Sequence, residues 1–316
     1  MPTQNDLHVD KLLSDVAISV IQSPDAFIAS KAFPYKEVSN QSDKYAKIPA
    51  GEFNRNQMRK RANATESAGG NWKVSTDSYF CDVFALHVDI GDQQRANADA
   101  PFALNANSSR FLAHQSLQAK EALFASTAMT TGVWSTDNST PNWTSGSSTP
   151  IADVRTAART MQLKSGFRPN KGVMTRDVFD VLMDHPDFLA RVTNGTQSGE
   201  AAAVSKRIIA SMFDLDEILV MDAIVNTAAE GQAATNAFHA TEKFLLTHTA
   251  PLSLEGAPTA GAIFNWSGLA GKGSMGTRIK NIRMEHLEAD RIEIQSAFDI
   301  KVTAPDLGYF FSGLLS

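Results

Sequence analysis

One stretch of the sequence has the spacing of a phosphate-binding loop. In "GKGSMG", the glycines Gly271, Gly273 and Gly276 follow the pattern G-x-G-x-x-G. In dinucleotide-binding proteins these glycines let backbone amides approach a pyrophosphate at the N-terminus of a helix. Residues 278–287 are compatible with such a helix, and Glu293 lies near the offset of a ribose-binding carboxylate. The pattern makes a nucleotide-binding oxidoreductase one candidate function.

The surroundings of this pattern disagree with a dinucleotide site. Only 40 residues follow Gly276, which is too few for the second half of a dinucleotide domain. Gly268 and Leu269 separate the glycines from the preceding apolar run, whereas the strand of a true fingerprint enters the turn directly. We therefore interpret Gly268, Gly271, Gly273 and Gly276 as a mobile loop and keep the oxidoreductase as the alternative.

Other catalytic chemistry has little support in the residues. Cys81 is the single cysteine, so neither an internal disulfide nor a cysteine metal cluster can form. It lies in a strand-like pattern without a nearby histidine, which is typical of a small apolar core residue. The chain contains no G-x-S-x-G motif, and its seven histidines are scattered without the H-E-x-x-H spacing. We expect no enzyme activity, no cofactor and no metal site.

Composition favours a globular chain with a substantial core. The 316 residues are 43% hydrophobic and 20% charged, with a formal net charge of -5. A protein that binds nucleic acid over its whole surface is strongly basic, and this one is not. The apolar runs are too short to span a bilayer, and the N-terminus lacks the pattern of a secretory signal. We expect a soluble intracellular product.

The basic residues are concentrated in one segment, residues 44–73. It holds seven lysines and arginines against two glutamates, a net charge of +5 that leaves -10 for the rest of the chain. Strand-like residues flank a polar tip in which Gly69 and Gly70 form a turn signal. The pattern predicts a long basic hairpin, and a merely solvated loop is the alternative.

A long helix is predicted to follow the hairpin. Residues 107–131 contain no glycine or proline, with Asn107 or Ser108 as N-cap and Gly132 at the C-cap position. A helix of this length is roughly 36 Å long, and its narrow apolar stripe suits a spine across a thin domain.

The low-complexity stretch after this helix predicts an internal boundary. Residues 134–150 are rich in Ser, Thr, Asn and Gly, and such segments bury little apolar area. We expect a surface excursion without a core role, so that shortening residues 138–147 would leave folding intact.

The second half of the chain has an α/β rhythm. The expected elements are helices over 151–164, from 175 or 176 to Pro186, from Pro186 onward and over 200–213, and strands over 171–175, 218–226, 244–249, 282–284 and 291–302. A short amphipathic helix over 9–21, followed by an extended arm, is expected at the N-terminus.

Four segments resemble the major capsid proteins of tailed bacteriophages, whose Hong Kong ninety-seven-like fold is shared with encapsulins. They are "PNKGVMTRDVFDVLMDHPDFLARV", "SKRIIASMFDLDEILVMDAIVNTA", "PTAGAIFNWSGL" and "RIEIQSAFDIKVTAPDLGYFFSGLL". The resemblance covers most of residues 40–316, and the order and spacing of the segments agree with the family.

The resemblance implies an α+β fold and a division of the chain. The expected parts are the N-terminal arm 1–40, the extended β-hairpin loop with flanking strands 41–90, the peripheral domain with the spine helix 91–149, the axial α/β domain 150–282, the peripheral return strands 283–308 and the C-terminal tail 309–316.

The resemblance also implies a function and partners. The chain is expected to assemble with itself, as pentamers and hexamers, into the icosahedral shell of a virion around double-stranded DNA. Assembly is expected in the host cytoplasm, with a scaffold, a portal and decoration proteins as partners and without a membrane. An encapsulin-type nanocompartment shell is the alternative within this class.

Two site hypotheses follow from the implied fold. Arg55, Arg59, Lys60 and Arg61 are expected near the end of the hairpin, in contact with an acidic surface of an adjacent subunit. The glycine loop is expected to vary in conformation between subunits, because glycine tolerates positive φ and an axial loop must suit five-fold and six-fold surroundings.

Overall fold

The computed structural model describes residues 22–47, 54–97, 104–195, 205–250, 258–273 and 275–316. The helix predicted over 9–21 lies outside these ranges. The strands are β1 (Tyr35–Val38), β2 (Ser42–Lys47), β3 (Ser75–Phe80), β4 (Asp82–Gly91), β5 (Asp137–Asn138), β6 (Lys171–Thr175), β7 (Glu217–Met221), β8 (Ile224–Asn226), β9 (Asn236–Phe238), β10 (Lys243–Thr247), β11 (Gly261–Trp266), β12 (Thr277–Met284), β13 (Ala289–Val302) and β14 (Gly308–Ser312). The helices are α1 (Ala29–Ala32), α2 (Asp92–Asn97), α3 (Leu104–Ala128), α4 (Pro150–Ser165), α5 (Arg176–Asp184), α6 (Pro186–Gly195), α7 (Lys206–Phe213) and α8 (Ser267–Ala270).

The first sheet is built around β13, which has partners on both edges. β4 and β12 both pair antiparallel with its N-terminal part, so they occupy opposite edges. Phe298 pairs with Asp82 of β4 and with Asn265 of β11, so β11 lies on the edge that β12 occupies. β11 and β12 are therefore one interrupted strand, and residues 267–276 leave and re-enter the sheet edge between them. The expected domain boundary at residue 282 falls inside β12.

The long helix α3 covers one face of this sheet. Leu112 packs with Ile292 and Ile294 of β13, and Phe124 lies in a second cluster with Phe298. These β13 residues alternate along the strand, as expected for one buried face. The predicted helix is confirmed, but the predicted N-cap at Asn107 or Ser108 is wrong.

The helix extends to Leu104 because that residue packs onto the cluster around Leu112. It ends at Ala128, four residues before Gly132, whose positive φ of 81° belongs to the turn that follows.

The second sheet has the order β5-β14-β10-β6-β7 and is buried on both faces. On one face, Phe244 and Val220 pack against α4, α5 and α7. On the other, Val173 and Leu245 pack with Phe124 of α3, so this helix separates the two sheets. The predicted strand 171–175, and the helix starting at Arg176, are confirmed. The single buried strand predicted over 218–226 is wrong, because β7 ends at Met221 and β8 pairs with β9 instead.

Two tryptophans of residues 134–150 belong to the core, contrary to the prediction of no core role, although most of the residues between them are exposed. Trp143 is completely buried, its backbone N–H donates to Leu314 O (2.7 Å), and its Nε1–H donates to Asp153 (3.0 Å). Trp134 is buried as well and donates from Nε1 to Ala128 O (2.7 Å). The prediction failed because it used the average composition of the segment, which is polar. The two indole rings each bury a large apolar area in spite of that average. The segment therefore fastens the C-terminal tail and the end of α3 to the body.

The step from α5 to α6 depends on the same segment. His185 is buried, and its Nδ1 accepts a hydrogen bond from the Asp187 amide (3.1 Å). Its Nε2 lies 2.9 Å from Ser148 Oγ and 3.2 Å from Ser145 O. Because Nδ1 acts as an acceptor, Nε2 carries the proton and donates to this pair. The histidine thus joins the start of α6 to residues 145–148.

We expect Trp143→Ala to lower the free energy of unfolding by about 3–5 kcal/mol, the range for removing a buried aromatic side chain. Urea unfolding followed by circular dichroism measures this loss. Trp72→Ala is the matched control, because Trp72 is 52% exposed, and we expect it to cost less than about 1 kcal/mol. Equal losses for the two variants would contradict the core role of residue 143.

We expect Gly276→Ala to lower the free energy of unfolding by about 1–3 kcal/mol, the cost of forcing a residue other than glycine into the left-handed region. Gly276 has φ +72°, and an added Cβ would lie 2.7 Å from Ala297 O of β13. Gly69→Ala serves as control, since a Cβ added at Gly69 would meet no heavy atom within 4 Å. An unchanged denaturation midpoint for Gly276→Ala would show that β12 does not depend on this close return.

Candidate intersubunit contact surface

The base of the β2–β3 hairpin is fixed against the face of the first sheet opposite α3. Ile263 of β11 pairs with Ile300 and lies on the face toward α3, so the next residue, Phe264, points to the opposite face. The Tyr79 ring stacks on Phe264 with centroids 4.6 Å apart and planes 9° apart. The Tyr45 ring lies 5.5 Å from Phe264. Aromatic stacking therefore sets the direction in which the hairpin leaves the body.

Charged hydrogen bonds add to this anchor. Asp77 accepts from Lys47 Nζ at 2.6 Å and from the Tyr45 hydroxyl at 3.2 Å. The hydrogen bond from Lys47 is the main reason that the pKa of Asp77 is lowered. Burial, followed by the charge of Asp77, raises the pKa of Tyr45. Both interactions hold β2 and β3 in register at their outer end.

Cys81 joins the hairpin to β4 and has no accessible thiol. Its backbone N–H donates to Gln41 O (2.9 Å), and its thiol donates to Phe264 O (3.5 Å). Complete burial is the main cause that raises the pKa of the thiol to about 12. A thiol that stays protonated at neutral pH is a poor nucleophile, which confirms its interpretation as a core residue.

The loop at residues 54–74, named the basic loop, carries the predicted contact residues. Arg55, Arg59, Lys60 and Arg61 are all exposed. None of the four forms an ion pair with any residue in the described ranges. Three of them, Arg55, Arg59 and Arg61, line a shallow hollow of about 470 Å³ together with Trp72. The four cations thus lie on one exposed loop, and their contact with another subunit stays a prediction.

Exposed apolar side chains accompany the basic loop and were not predicted from the sequence. Met58 lies among the four cations and is 91% exposed. Along β4, which pairs with β13 on one edge, Val83, Phe84 and Leu86 are each 40–45% exposed. The sequence did contain an indication of these exposed side chains, because β4 is apolar at both odd and even positions, which is unusual for a strand with one solvated face. The exposure could be recognised only from the structure, in which α3 covers β13 more than β4.

The glycine loop does not have the geometry of a phosphate site. A strand, β12, follows Gly276 where the fingerprint requires a helix. Residues 278–287 therefore do not form the helix with which they were compatible, and the strand predicted over 282–284 is confirmed as part of β12. The antiparallel register with β13 determines this outcome. The Gly273 amide donates to the Glu37 carboxylate (3.2 Å) and the Gly271 amide to Ser267 O (2.8 Å). Ser274 lies outside the described residues.

The positive φ values of Gly271, Gly273 and Gly276 explain the choice of glycine there. The loop leaves the edge of the first sheet between β11 and β12.

Two further features bear on the class of protein. Within the described ranges, no group of three or more His, Cys, Asp or Glu side chains is placed to hold a metal ion. Among the same residues, no helix has both the length and the apolar character needed to cross a membrane.

Known proteins resemble this chain over nearly its whole length. It is 23% identical to the major capsid protein of Pseudomonas phage JBD67 over 314 residues, which covers 95% of this chain and 96% of the relative. A phage-related protein from Bordetella bronchiseptica superimposes with a TM-score of 0.70 at 18% identity, covering 97% of both chains. The capsid protein of cyanophage P-SCSP1u does so with a TM-score of 0.59 at 14% identity, covering 99% of this chain and 94% of that one. The encapsulin of Synechococcus elongatus has a TM-score of 0.56 at 9% identity, covering 97% and 96%.

These structural similarities confirm the predicted mixed helix and sheet fold of phage capsid proteins and encapsulins. The sequence of residues 124–297 matches the family model of phage major capsid protein E. That match spans more than half of the chain and includes the end of α3, the second-sheet strands β5–β7 and β10, and β11–β13 up to Ala297. The chain belongs to the phage major capsid protein E family.

Proposed function

We propose that this protein is the major capsid protein that self-assembles into the icosahedral shell around a double-stranded DNA phage genome. Membership of the capsid protein E family supports this function, and the relative with matching length is a phage capsid protein. Both similarities are to phage proteins, so an encapsulin compartment is not favoured. The strand β12 stands after Gly276 where a dinucleotide fingerprint requires a helix, which removes the main support for the oxidoreductase alternative.

The observation that carries the proposal is the unneutralised charge of the basic loop. Its four cations have no ion-pair partner among the described residues of their own chain, although the hairpin base is firmly anchored. An exposed cluster of one sign on an anchored hairpin is suited to contact an acidic surface on another copy. Such a contact between different patches is heterologous, and heterologous contacts that close generate rings. Pentamers and hexamers of the shell are therefore the expected products.

Charge is expected to direct the encounter of subunits more than to hold them together. Exposed ion pairs contribute only about 0–1 kcal/mol each and are screened over ~8 Å at physiological ionic strength. The 91% exposed Met58 can supply apolar contact at the centre of the same loop. Assembly then rests on many modest interfaces formed together, since multivalent contacts strengthen each other.

Membership of the family supports the remaining parts of the proposal. We assign the arm to residues 1–40, the extended hairpin to 41–90, and the peripheral and axial domains to the segments given above, with the domain boundary near 282 moved outside β12. A scaffold, a portal and decoration proteins are the proposed partners, and the shell is assembled in the host cytoplasm. The glycine loop is proposed to vary between subunits, within the limits set by its two ends in the sheet.

We expect the purified wild-type chain to elute as megadalton shells or as rings of five or six. Replacing Arg59, Lys60 and Arg61 together by Glu should prevent or misdirect shell formation, because the loop would then repel the acidic partner surface. The circular dichroism spectrum and thermal midpoint should stay near those of the wild type, since these side chains are exposed. Negative-stain microscopy with light scattering measures the outcome.

The matched control changes net charge by the same amount at exposed residues elsewhere, Arg155, Arg159 and Arg207. This control should still assemble. Normal empty shells from the loop variant would instead favour a loop that faces the packaged DNA. A monomer with saturable NAD binding would overturn the shell function itself.

A further inference from the structure

The described part of the N-terminal arm packs along α3. Phe27 contacts the His114 ring edge-on at 5.5 Å, and Phe33 contacts Phe124 at 5.2 Å. Ile28 and Ala29 are buried between these two contacts. The arm is therefore packed along about three turns of α3.

Glu121 of α3 makes the central polar contact with the arm. The side chain is completely buried, and its Oε2 accepts hydrogen bonds from the backbone amides of Ile28 and Ala29, each at 3.0 Å. Its Oε1 is also buried and has no hydrogen-bond partner among the described residues. One carboxyl group thus holds two arm amides, and no cation of the described residues forms an ion pair with it.

A second polar contact holds the start of the described arm. The Gln22 amide donates to Ile224 O (2.8 Å) and accepts from the Ile224 N–H (2.9 Å). Gln118 of α3 donates to the same carbonyl (2.7 Å), and its Oε1 accepts from His239 (2.7 Å). The groups that touch the arm here are amides, which do not titrate, so Glu121 is the ionisable group in the hydrogen bonds between arm and helix.

Burial raises the pKa of Glu121 from 4.5 to about 7, and the two amide hydrogen bonds oppose this shift only in part. A carboxyl with a raised pKa in the folded state binds its proton more tightly there than in the unfolded chain. Its contribution to stability is complete below pH 4.5 and is lost as the pH rises through about 7. The ionised form is the one that the folded arm disfavours.

Other titratable groups around the contact respond in different pH ranges. Burial lowers the pKa of His114 and His239 from 6.5, and raises the pKa of Tyr35 from 10.0. Lys120 is buried over the Tyr35 and Phe298 rings, and burial lowers its pKa from 10.5.

The charged groups of the arm are directed elsewhere. Lys31 lies 3.4 Å from Asp25, and Lys171 of the second sheet donates to the Lys31 carbonyl. None of these groups donates a hydrogen bond to Glu121.

We propose that Glu121 is a pH-sensitive latch that holds residues 27–33 of the arm on α3 in its neutral form and releases them as the carboxyl ionises. An ionised carboxylate at the completely buried Glu121 would have only the Ile28 and Ala29 amides as partners and no counter-charge among the described residues. Burial of an unpaired charge is strongly unfavourable. Exposing it to water requires the arm segment to lift. The Gln22 network stays in place, so the release is local. The latch does not depend on the proposed capsid function.

The test is hydrogen exchange of the full-length chain from pH 5.5 to 8.5, read by mass spectrometry on peptides covering residues 26–33. Rates are corrected for intrinsic base catalysis, and light scattering verifies that the assembly state is the same throughout. In the wild type, the protection of the Ile28 and Ala29 amides should fall by up to ~10-fold per pH unit above neutrality. Protection that is flat across this range would overturn the proposal without any variant.

Two variants locate the response. Glu121→Gln keeps an acceptor oxygen for both amides but cannot ionise, so its protection should not change with pH. Glu230→Gln removes an exposed carboxyl of the same kind and should keep the wild-type profile. A pH response that persists in Glu121→Gln would assign it to another group such as Lys120 and would contradict the latch.

Discussion

The hydrogen bonding of β13 along both of its edges determines the positions of the neighbouring strands, of α3 and of the hairpin base. Its 14 residues pair with β4 on one edge and with β12 and then β11 on the other. Because its side chains alternate, one face receives α3 and the opposite face receives the hairpin base through Phe264 of the neighbouring strand. A change in the register of this one strand would move the buried face outward and displace both attachments.

The charged side chains near the turn between β12 and β13 differ from those of the basic loop. At the outer end of β12 and β13, Arg283 pairs with Asp92 (2.6 Å) and Asp290 (3.2 Å), and Arg95 pairs with Asp290 (2.6 Å). These pairs are neutralised within the chain. The basic loop, by contrast, keeps four cations without an ion pair in the described residues. Under the proposed function, this imbalance would direct the encounter of identical subunits.

The helix α3 separates the two sheets and also carries the charges that are hardest to bury. Lys120 and Glu121 are adjacent, yet one faces aromatic rings and the other faces arm amides. The two side chains do not form an ion pair with each other, so the stability of each in its buried site depends on the element packed against it. In the proposed latch, the arm responds to the ionisation of Glu121 in α3, in addition to packing on this helix through apolar side chains.

Much of the fold could be predicted from local sequence. The absence of glycine and proline predicted α3, the apolar strand before Arg176 predicted β6 and α5, and the charge count located the basic loop. These features depend on residues within one turn or one strand of each other, where period and composition are informative.

Tertiary structure alone decided the remaining features. Residues 278–287 were compatible with a helix, but pairing with β13 made most of them a strand. Trp143 stands in a polar stretch, but Phe244 and Phe311 enclose it. Glu121 resembles any helix-surface glutamate until the arm, more than 90 residues earlier in the chain, covers it. In each case the outcome depends on contact with a residue or strand that is distant in sequence. Burial and strand register are determined by both partners, so they cannot be derived from the local sequence of one of them.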